Sequence, residues 1–268
     1  MITMLSDFGD RDIYVGVMKG VISQINPELR VIDLTHQIPP QNIAAARFCL
    51  MNAYPYFPDG TVHLAVVDPG VGGRRRAIAV EFANGFLVGP DNGIFSGLLS
   101  QNPANAVVEL TNPDYWRTPQ PSRTFHGRDI FAPVAAHLAS GVPLTELGNL
   151  IHRAALVQLD IVECILTETG IVGSIQYIDH FGNLVTNIPG SYVQGKTWCV
   201  KAGGLTMRGC ETYGDVEVGD AIAHTGDSLR AIALVESHGW IEIAINSGNA
   251  QSQLHLQLGD TIEVAFES

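Results

Sequence analysis

Hydrophobic periodicity changes character once along this chain, near residue 155, and that change limits the fold more than any other feature. Before it, strand-like runs at residues 2–5, 30–34, 62–67, 77–82 and 106–110 alternate with segments 14–25, 42–53 and 92–100, whose apolar residues recur at three- and four-residue spacing. A helix must bury one stripe and a strand one face, so the alternation predicts an α/β domain: a layered mixed or parallel sheet with flanking helices. After it, helical spacing fades, and short β-rich runs at 171–178, 197–201, 231–236 and 261–265 are punctuated by Gly203-Gly204, Gly219-Asp220 and Gly259-Asp260. That pattern predicts an all-β, barrel-like C-terminal domain. The domains are placed at residues 1–157 and 158–268, with the linker within 158–168. One more helix is predicted to start at Asp129 as its cap, with Ile130, Val134 and Leu138 on one face and Pro133 in the first turn. His126 then lies in the loop before a helix N-terminus, where the neutral, proton-accepting imidazole is favoured.

A chain of 268 residues buries a sizeable core in either domain arrangement. The formal net charge of −12 is the wrong sign for neutralising phosphates, which argues against a nucleic-acid partner and suits a cationic or zwitterionic small substrate. No apolar run reaches membrane-spanning length, so no membrane partner is expected. Cys49, Cys164, Cys199 and Cys210 are scattered without C-x-x-C or zinc-finger spacing and read as buried thiols. The first residues form a strand-like run with no basic segment or cleavage signal ahead of it, and a reducing, cytoplasmic location is expected.

Several segments could carry chemistry. Val66-Val67-Asp68-Pro69-Gly70-Val71-Gly72-Gly73-Arg74-Arg75 ends an apolar run on a carboxylate, turns, and returns a guanidinium toward it. Arg75 stands where G-x-G-x-x-G needs its third glycine, so the dinucleotide fingerprint fails, and no Gly-Lys-Ser/Thr marks a phosphate loop. A tight turn with a surface Asp–Arg pair competes with a functional reading, but a carboxylate closing an apolar run is costly to bury unless paired. Thr124-Phe125-His126-Gly127-Arg128-Asp129 adds an imidazole, which could equally be a hydrogen-bonded loop residue. Asp, Arg and His together can hold and deprotonate a water.

Ser6-Asp7-Phe8-Gly9-Asp10-Arg11-Asp12 lacks the calcium-loop order; Asp10 or Asp12 could cap a helix, while Asp7 at a strand's C-terminal end could accept two ribose hydroxyls. His36, His137 and His180 fall at no ligand spacing, and no metal site is expected. Asp179-His180-Phe181-Gly182-Asn183-Leu184-Val185-Thr186-Asn187-Ile188 groups a carboxylate, an aromatic ring and amides, suited to a ligand with an amine and an aromatic base, or else a polar β-turn. Ser237-His238-Gly239-Trp240 and Asn246-Ser247-Gly248-Asn249-Ala250 are further polar, glycine-bearing segments.

Taken in order, these segments resemble the S-adenosyl-L-methionine (SAM) hydroxide adenosyltransferase family, water-using relatives of fluorinase and chlorinase, along essentially the whole chain. The resemblance implies hydrolysis of SAM to adenosine and L-methionine by displacement at the 5′ carbon, with SAM as substrate and no cofactor. It implies a catalytic set of Asp68, Arg75 and His126: Asp68 accepts a hydrogen bond from the attacking water, Arg75 keeps that carboxylate ionised, and His126 helps remove the proton. It further assigns Asp7 to the ribose diol, Asp179 to the methionine ammonium, Asn183 to adenine, Tyr213 to the ring flanking the base, Ala250 to a backbone contact with the base, and Ser237 to the methionine carboxylate. Phe181 and Asn246 lie in the matching substrate-binding segments. Fluorinase-like proteins carry Tyr, Thr and Ser where this chain has Asp68, Val71 and Gly127; a carboxylate repels a halide and attracts a water proton, so water is expected. His238 replaces the halogenase Arg and Val185 the halogenase Trp, so carboxylate recognition and base stacking are expected to differ. The resemblance also implies a homotrimer, with each site shared between two chains. Three alternatives stay open: a chlorinase, a non-catalytic adenosyl-compound binding protein, and a metal-dependent nucleotide hydrolase.

Overall fold

The computed structural model describes residues 1–215 and 230–266. The chain divides into two compact units, Met1–Leu159 and Asp160–Ser268. The turn expected at Gly219-Asp220 lies outside the described residues.

In the first unit the strands are β1 (Ile2–Ser6), β2 (Val31–Thr35), β3 (Thr61–Val66), β4 (Ala77–Phe82), β5 (Gly85–Pro90), β6 (Ala106–Glu109) and β7 (Asn149–Leu150). They form one sheet in the order β2-β1-β3-β5-β4-β6-β7. The β2-β1-β3-β5 part is parallel, whereas β4 runs antiparallel to both β5 and β6, so the sheet is mixed. The expected run at 77–82 is only half of a hairpin: the two-residue Ala83-Asn84 turn returns the chain as β5, a strand the alternation reading missed. Helices α1 (Tyr14–Ile25), α2 (Ile43–Ala53), α3 (Ser96–Gln101) and α4 (Ala132–Ala139) flank it. Met18, Val21 and Ile22 of α1 and Val134, Ala135 and Leu138 of α4 share one core with Ile2, Met4, Val62, Leu64 and Val66. Side chains alternate along a strand, so Thr3 and His63 face the other way, where Tyr54, just after α2, stacks on His63 at 4.8 Å.

The chain leaves β1 for β2 on one side and then crosses to β3 on the other. That makes the β1/β3 boundary a topological switch point, where a crevice opens beyond the strand C-termini. Ser6 pairs with Val66, so Asp7 and the Asp68 turn emerge side by side there.

The second unit contains β8 (Ile165–Leu166), β9 (Gly170–Ile178), β10 (Leu184–Pro189), β11 (Trp198–Ala202), β12 (Leu205–Cys210), β13 (Ala231–Val235), β14 (Trp240–Ile245), a short α5 (Ala250–Leu254) and β15 (Thr261–Phe266). Among the described residues, the order β10-β14-β13-β12-β11-β15-β9 closes through β9–β10 into a seven-strand barrel, with β8 added outside β9. Ile171, Ile175, Ile188, Val200, Ile241, Ile243, Ile245 and Val264 fill its core. Gly203 and Gly204, at φ 57° and 78°, make the tight β11–β12 turn as expected. Of the cysteines, Cys199 is buried, but Cys49, Cys164 and Cys210 are only partly so, a correction to the expectation of buried thiols. Among the described residues, no helix is long and apolar enough to cross a membrane.

Candidate active site

The turn after β3 is built by short backbone bonds: Val71 N–H donates to Asp68 O at 3.2 Å and Gly73 N–H to Gly70 O at 3.0 Å. Gly72 has φ 72°, and a Cβ there would strike the Arg123 carbonyl, so the turn and the loop before His126 lie in backbone contact only because this residue is glycine. The turn folds Arg75 back onto Asp68, with Nε 2.9 Å from Oδ1 and 3.0 Å from Oδ2 and with Nη2 on Oδ2. Arg75 Nη2 also lies 2.7 Å from His126 Nδ1. A guanidinium only donates, so His126 Nδ1 is the acceptor and the neutral ring holds its proton on Nε2. The Phe131 ring lies 5.2 Å beneath the guanidinium. From β5's end, Asn92 Nδ2 holds the Val67 carbonyl at 2.8 Å and steadies the strand end that delivers Asp68.

His126 precedes a π-helical turn, Gly127–Phe131, that runs into α4. Asp129 is therefore inside the helical run and does not cap it. Its carboxylate, 0% exposed, instead gathers the preceding loop: Arg117 Nε at 2.6 Å, Arg128 Nε and Nη2 both at 2.7 Å, and Ser122 N–H at 2.8 Å. Burial opposes its charge, but the hydrogen bonds from Arg128 and Arg117, with Ser122, prevail and hold it well below the usual carboxylate range. His126 is pushed down by burial and then by the Arg75 charge, against Asp68 and Asp129. The expected neutral imidazole thus has its direction right, with burial and Arg75 as causes.

A cleft of about 430 Å³ at the switch point is lined by Asp7, Phe8, Tyr14, Asp68, Phe125 and His126, among others. Phe8, Tyr14 and Phe125 pack edge to face or tilted, with centroids 5.2–5.9 Å apart, and form its apolar wall. Asp7 Oδ2 accepts Gln41 N–H at 2.8 Å.

Within the barrel unit, the segment expected as a polar turn is the β9–β10 connection followed by β10 itself. Asp179 Oδ1 accepts the N–H groups of Phe181 (2.9 Å) and Asn183 (2.8 Å), and Oδ2 accepts Asn183 Nδ2 at 3.0 Å. Gly182 has φ 83°, its carbonyl accepts Gln251 N–H at 2.9 Å, and a Cβ on it would strike the Asn249 side chain. This contact joins the Asp179–Asn183 turn to the segment carrying Ala250, which is fully buried. Tyr213 is held at both ends: its hydroxyl donates to Glu242 Oε1 at 2.8 Å, and its carbonyl accepts Asn246 Nδ2 at 2.7 Å. Ser237 Oγ lies 3.4 Å from Glu236 Oε2, which also takes His238 Nδ1 at 2.8 Å. Each unit thus brings its own group together: Asp7, Asp68, Arg75 and His126 in one, and Asp179, Phe181, Asn183, Tyr213, Asn246 and Ala250 in the other.

The profile of the SAM hydroxide adenosyltransferase N-terminal domain matches residues 2–148, and that of the C-terminal domain matches residues 173–263. The chain belongs to the SAM hydroxide adenosyltransferase family. Relatives named (R)-S-adenosyl-L-methionine hydrolase include one from Salinispora tropica, 38% identical over 98% of this chain and 97% of the relative. Another, from Thermus thermophilus, is 39% identical over 95% of each. A fluorinase from Nocardia brasiliensis is 24% identical over 98% of this chain and 96% of its own. A crystal structure of an uncharacterized conserved protein from Thermotoga maritima superposes with a TM-score of 0.89 at 35% identity, covering 99% of this chain and 100% of that one.

At Gly127 a side chain would need its neighbours to give by a few tenths of an ångström. A Cβ there would lie 3.1 Å from Met18 Sδ and 3.2 Å from Phe125 Cε2. Glu242 is a group that motif reading missed. It is 3% exposed, and burial, reinforced by Asp179 and Glu236 against Tyr213 and His238, raises its carboxyl to about 7. Its signal was present as the one carboxylate in the apolar strand Trp240–Ile245.

Proposed function

We propose that this chain hydrolyses SAM to adenosine and L-methionine by in-line attack of water on the 5′ carbon. One observation carries the reading: Asp68 and His126 line the cleft at the switch point, and Arg75 behind them bonds to both and joins them into one set. The sulfonium leaves as a neutral thioether, so no general acid and no cofactor are required. What remains for the protein is to place a water and take its proton, since free water, with a pKa of about 15.7, is a poor nucleophile. Asp68 keeps lone pairs beyond those used by Arg75 and receives that proton. His126, expected to help remove the proton, is already committed at Nδ1 to Arg75; its Nε2–H is left as a donor that orients the water, and proton removal falls to Asp68.

Asp7 takes the ribose diol with the oxygen that Gln41 leaves, and Asp179 takes the methionine ammonium on Oδ2. Phe181 and Tyr213 flank the base, Asn183 and the Ala250 backbone contact it, Ser237 contacts the methionine carboxylate, and Asn246 serves the substrate by holding Tyr213. The relatives' name specifies the (R) sulfonium, and the same epimer is the expected substrate here. The protein is proposed to work as a homotrimer in which the Asp68 set of one chain and the Asp179 set of its neighbour serve one substrate. Exposed Ile13 and Tyr14 beside one set and Phe181 and Tyr213 in the other support this. A cytoplasmic location suits its four thiols.

The test is incubation with SAM in ¹⁸O-labelled water, with and without chloride or fluoride. Adenosine labelled at the 5′ oxygen is expected; a 5′-halo product, or unlabelled adenosine, would refute the proposal.

A further inference from the structure

Beside the cleft, a chain of side chains runs from the surface to the strand end that carries Asp7. Lys19 Nζ donates to Asp33 Oδ2 at 2.6 Å. Asp33 Oδ1 lies 3.0 Å from His36 Nε2, too oblique for a straight hydrogen bond but close enough to orient the ring. His36 Nδ1 meets Ser6 Oγ at 2.7 Å, and Ser6 Oγ accepts Phe8 N–H at 3.3 Å. The carboxylate places the ring proton on Nε2, so Nδ1 accepts from the Ser6 hydroxyl.

A serine, a histidine and an aspartate in this order have the make-up of a nucleophilic triad. Burial rules out that use: Ser6 is 1% exposed, and its oxygen is already committed to Phe8. What the chain does instead follows from where its ends attach. The His36 ring holds Ser6, the residue before Asp7, and the His36 carbonyl accepts Gly9 N–H at 2.8 Å, two residues after it. Gln41, from the same β2–α2 loop, donates its N–H to Asp7 Oδ2. One loop therefore grips the Asp7 segment on both flanks and at one carboxylate oxygen, leaving Oδ1 for a ligand.

We propose that His36 is a positioning residue for nucleoside recognition, setting the Asp7 carboxylate against the cis-diol of a ribose through Ser6 and Gly9. This rests on the diol reading of Asp7 given above. Losing the hydrogen bonds that the diol gives a charged acceptor weakens binding, so the wild type is expected to bind adenosine roughly tenfold or more tightly than 2′,3′-dideoxyadenosine in calorimetric titration.

His36→Leu, which removes both ring nitrogens, is expected to weaken adenosine roughly tenfold and dideoxyadenosine less than twofold. It should raise KM for SAM by a similar factor while kcat stays within about threefold. His36→Asn, whose Oδ1 can still accept from Ser6, should restore most of the loss, and Ser6→Ala should reproduce it. Should His36→Leu fail to fold, Ser6→Ala carries the same comparison. Equal weakening of both nucleosides in these variants would mark a general loosening and overturn the proposal, as would unchanged adenosine binding. A wild type that binds both nucleosides equally would overturn the diol reading of Asp7, and this inference with it.

Discussion

In the N-terminal sheet, the Asp68 and Arg75 side chains are 6% and 11% exposed and joined by a forked ion pair that extends to His126, whereas in the barrel Phe181 and Tyr213 stand 71% and 45% exposed on turns. The first arrangement is held by contacts within its own unit. The second satisfies its own backbone, as Asp179 does with Phe181 and Asn183, and presents ring faces outward. Moving a proton demands groups already in place, because reorganisation during the reaction adds to the barrier. Recognition tolerates exposed surfaces that the ligand itself covers.

The largest expected effect that would break this contrast is at Asp68. Asp68→Ala should lower kcat by roughly 10²- to 10⁴-fold with KM little changed, measured in steady-state assays of adenosine release. A variant that kept full turnover would move the chemistry elsewhere.

Next comes Arg75. Arg75→Leu leaves a buried carboxylate unpaired and should cost about 3 kcal/mol of stability in chemical denaturation. Arg75→Lys should recover much of that stability but not the rate, because an ammonium cannot bond Asp68 through two nitrogens and reach His126 as well.

The two units should also respond oppositely to pH. His63, buried in the sheet against Thr3, is pushed down to about 4 by burial. Unfolded histidine takes up a proton near 6.5, so this unit loses stability as pH falls from about 6.5 toward 4, by on the order of 3 kcal/mol. Glu242 in the barrel is raised to about 7. The stability it confers is full below about 4.5 and is lost as pH rises through 7, by a similar amount. Thermal unfolding across pH should show His63→Gln flattening the acid limb and Glu242→Gln the other.

The smallest effect expected is at the β9–β10 turn. Gly182→Ala forces a side chain onto φ 83° and into Asn249, and should cost about 1–3 kcal/mol and raise KM for SAM while leaving kcat near normal. A loss of kcat instead would mean that the barrel turn shares in the chemistry.

The alternation of periods made the layered sheet and the β-rich second unit legible, and the Asp68–Arg75 pairing was legible too, because two residues seven positions apart across a turn can close on each other. β5, β10, β12 and β14 were missed, as were the two-residue β7 and β8. β5 and β10 sit behind turns whose glycines and polar residues mask short apolar runs, and β14 reads as a polar segment from its flanks. Asp129 was misread as a cap because local sequence shows a carboxylate before an apolar run but not the two arginines that claim it.

By itself the sequence determined the two architectures, the residues on offer at the turns, and, through its motifs, the family. Those follow from local spacing, which is set by the period of a helix or strand. Only the tertiary structure decided that His126, 51 residues from Arg75, accepts its proton donor at Nδ1. It alone showed that Glu242 lies under Tyr213 and that His36 reaches Ser6. These pairings depend on strand order β2-β1-β3 and on barrel closure, which bring distant segments within hydrogen-bond reach and leave no periodic mark in the chain.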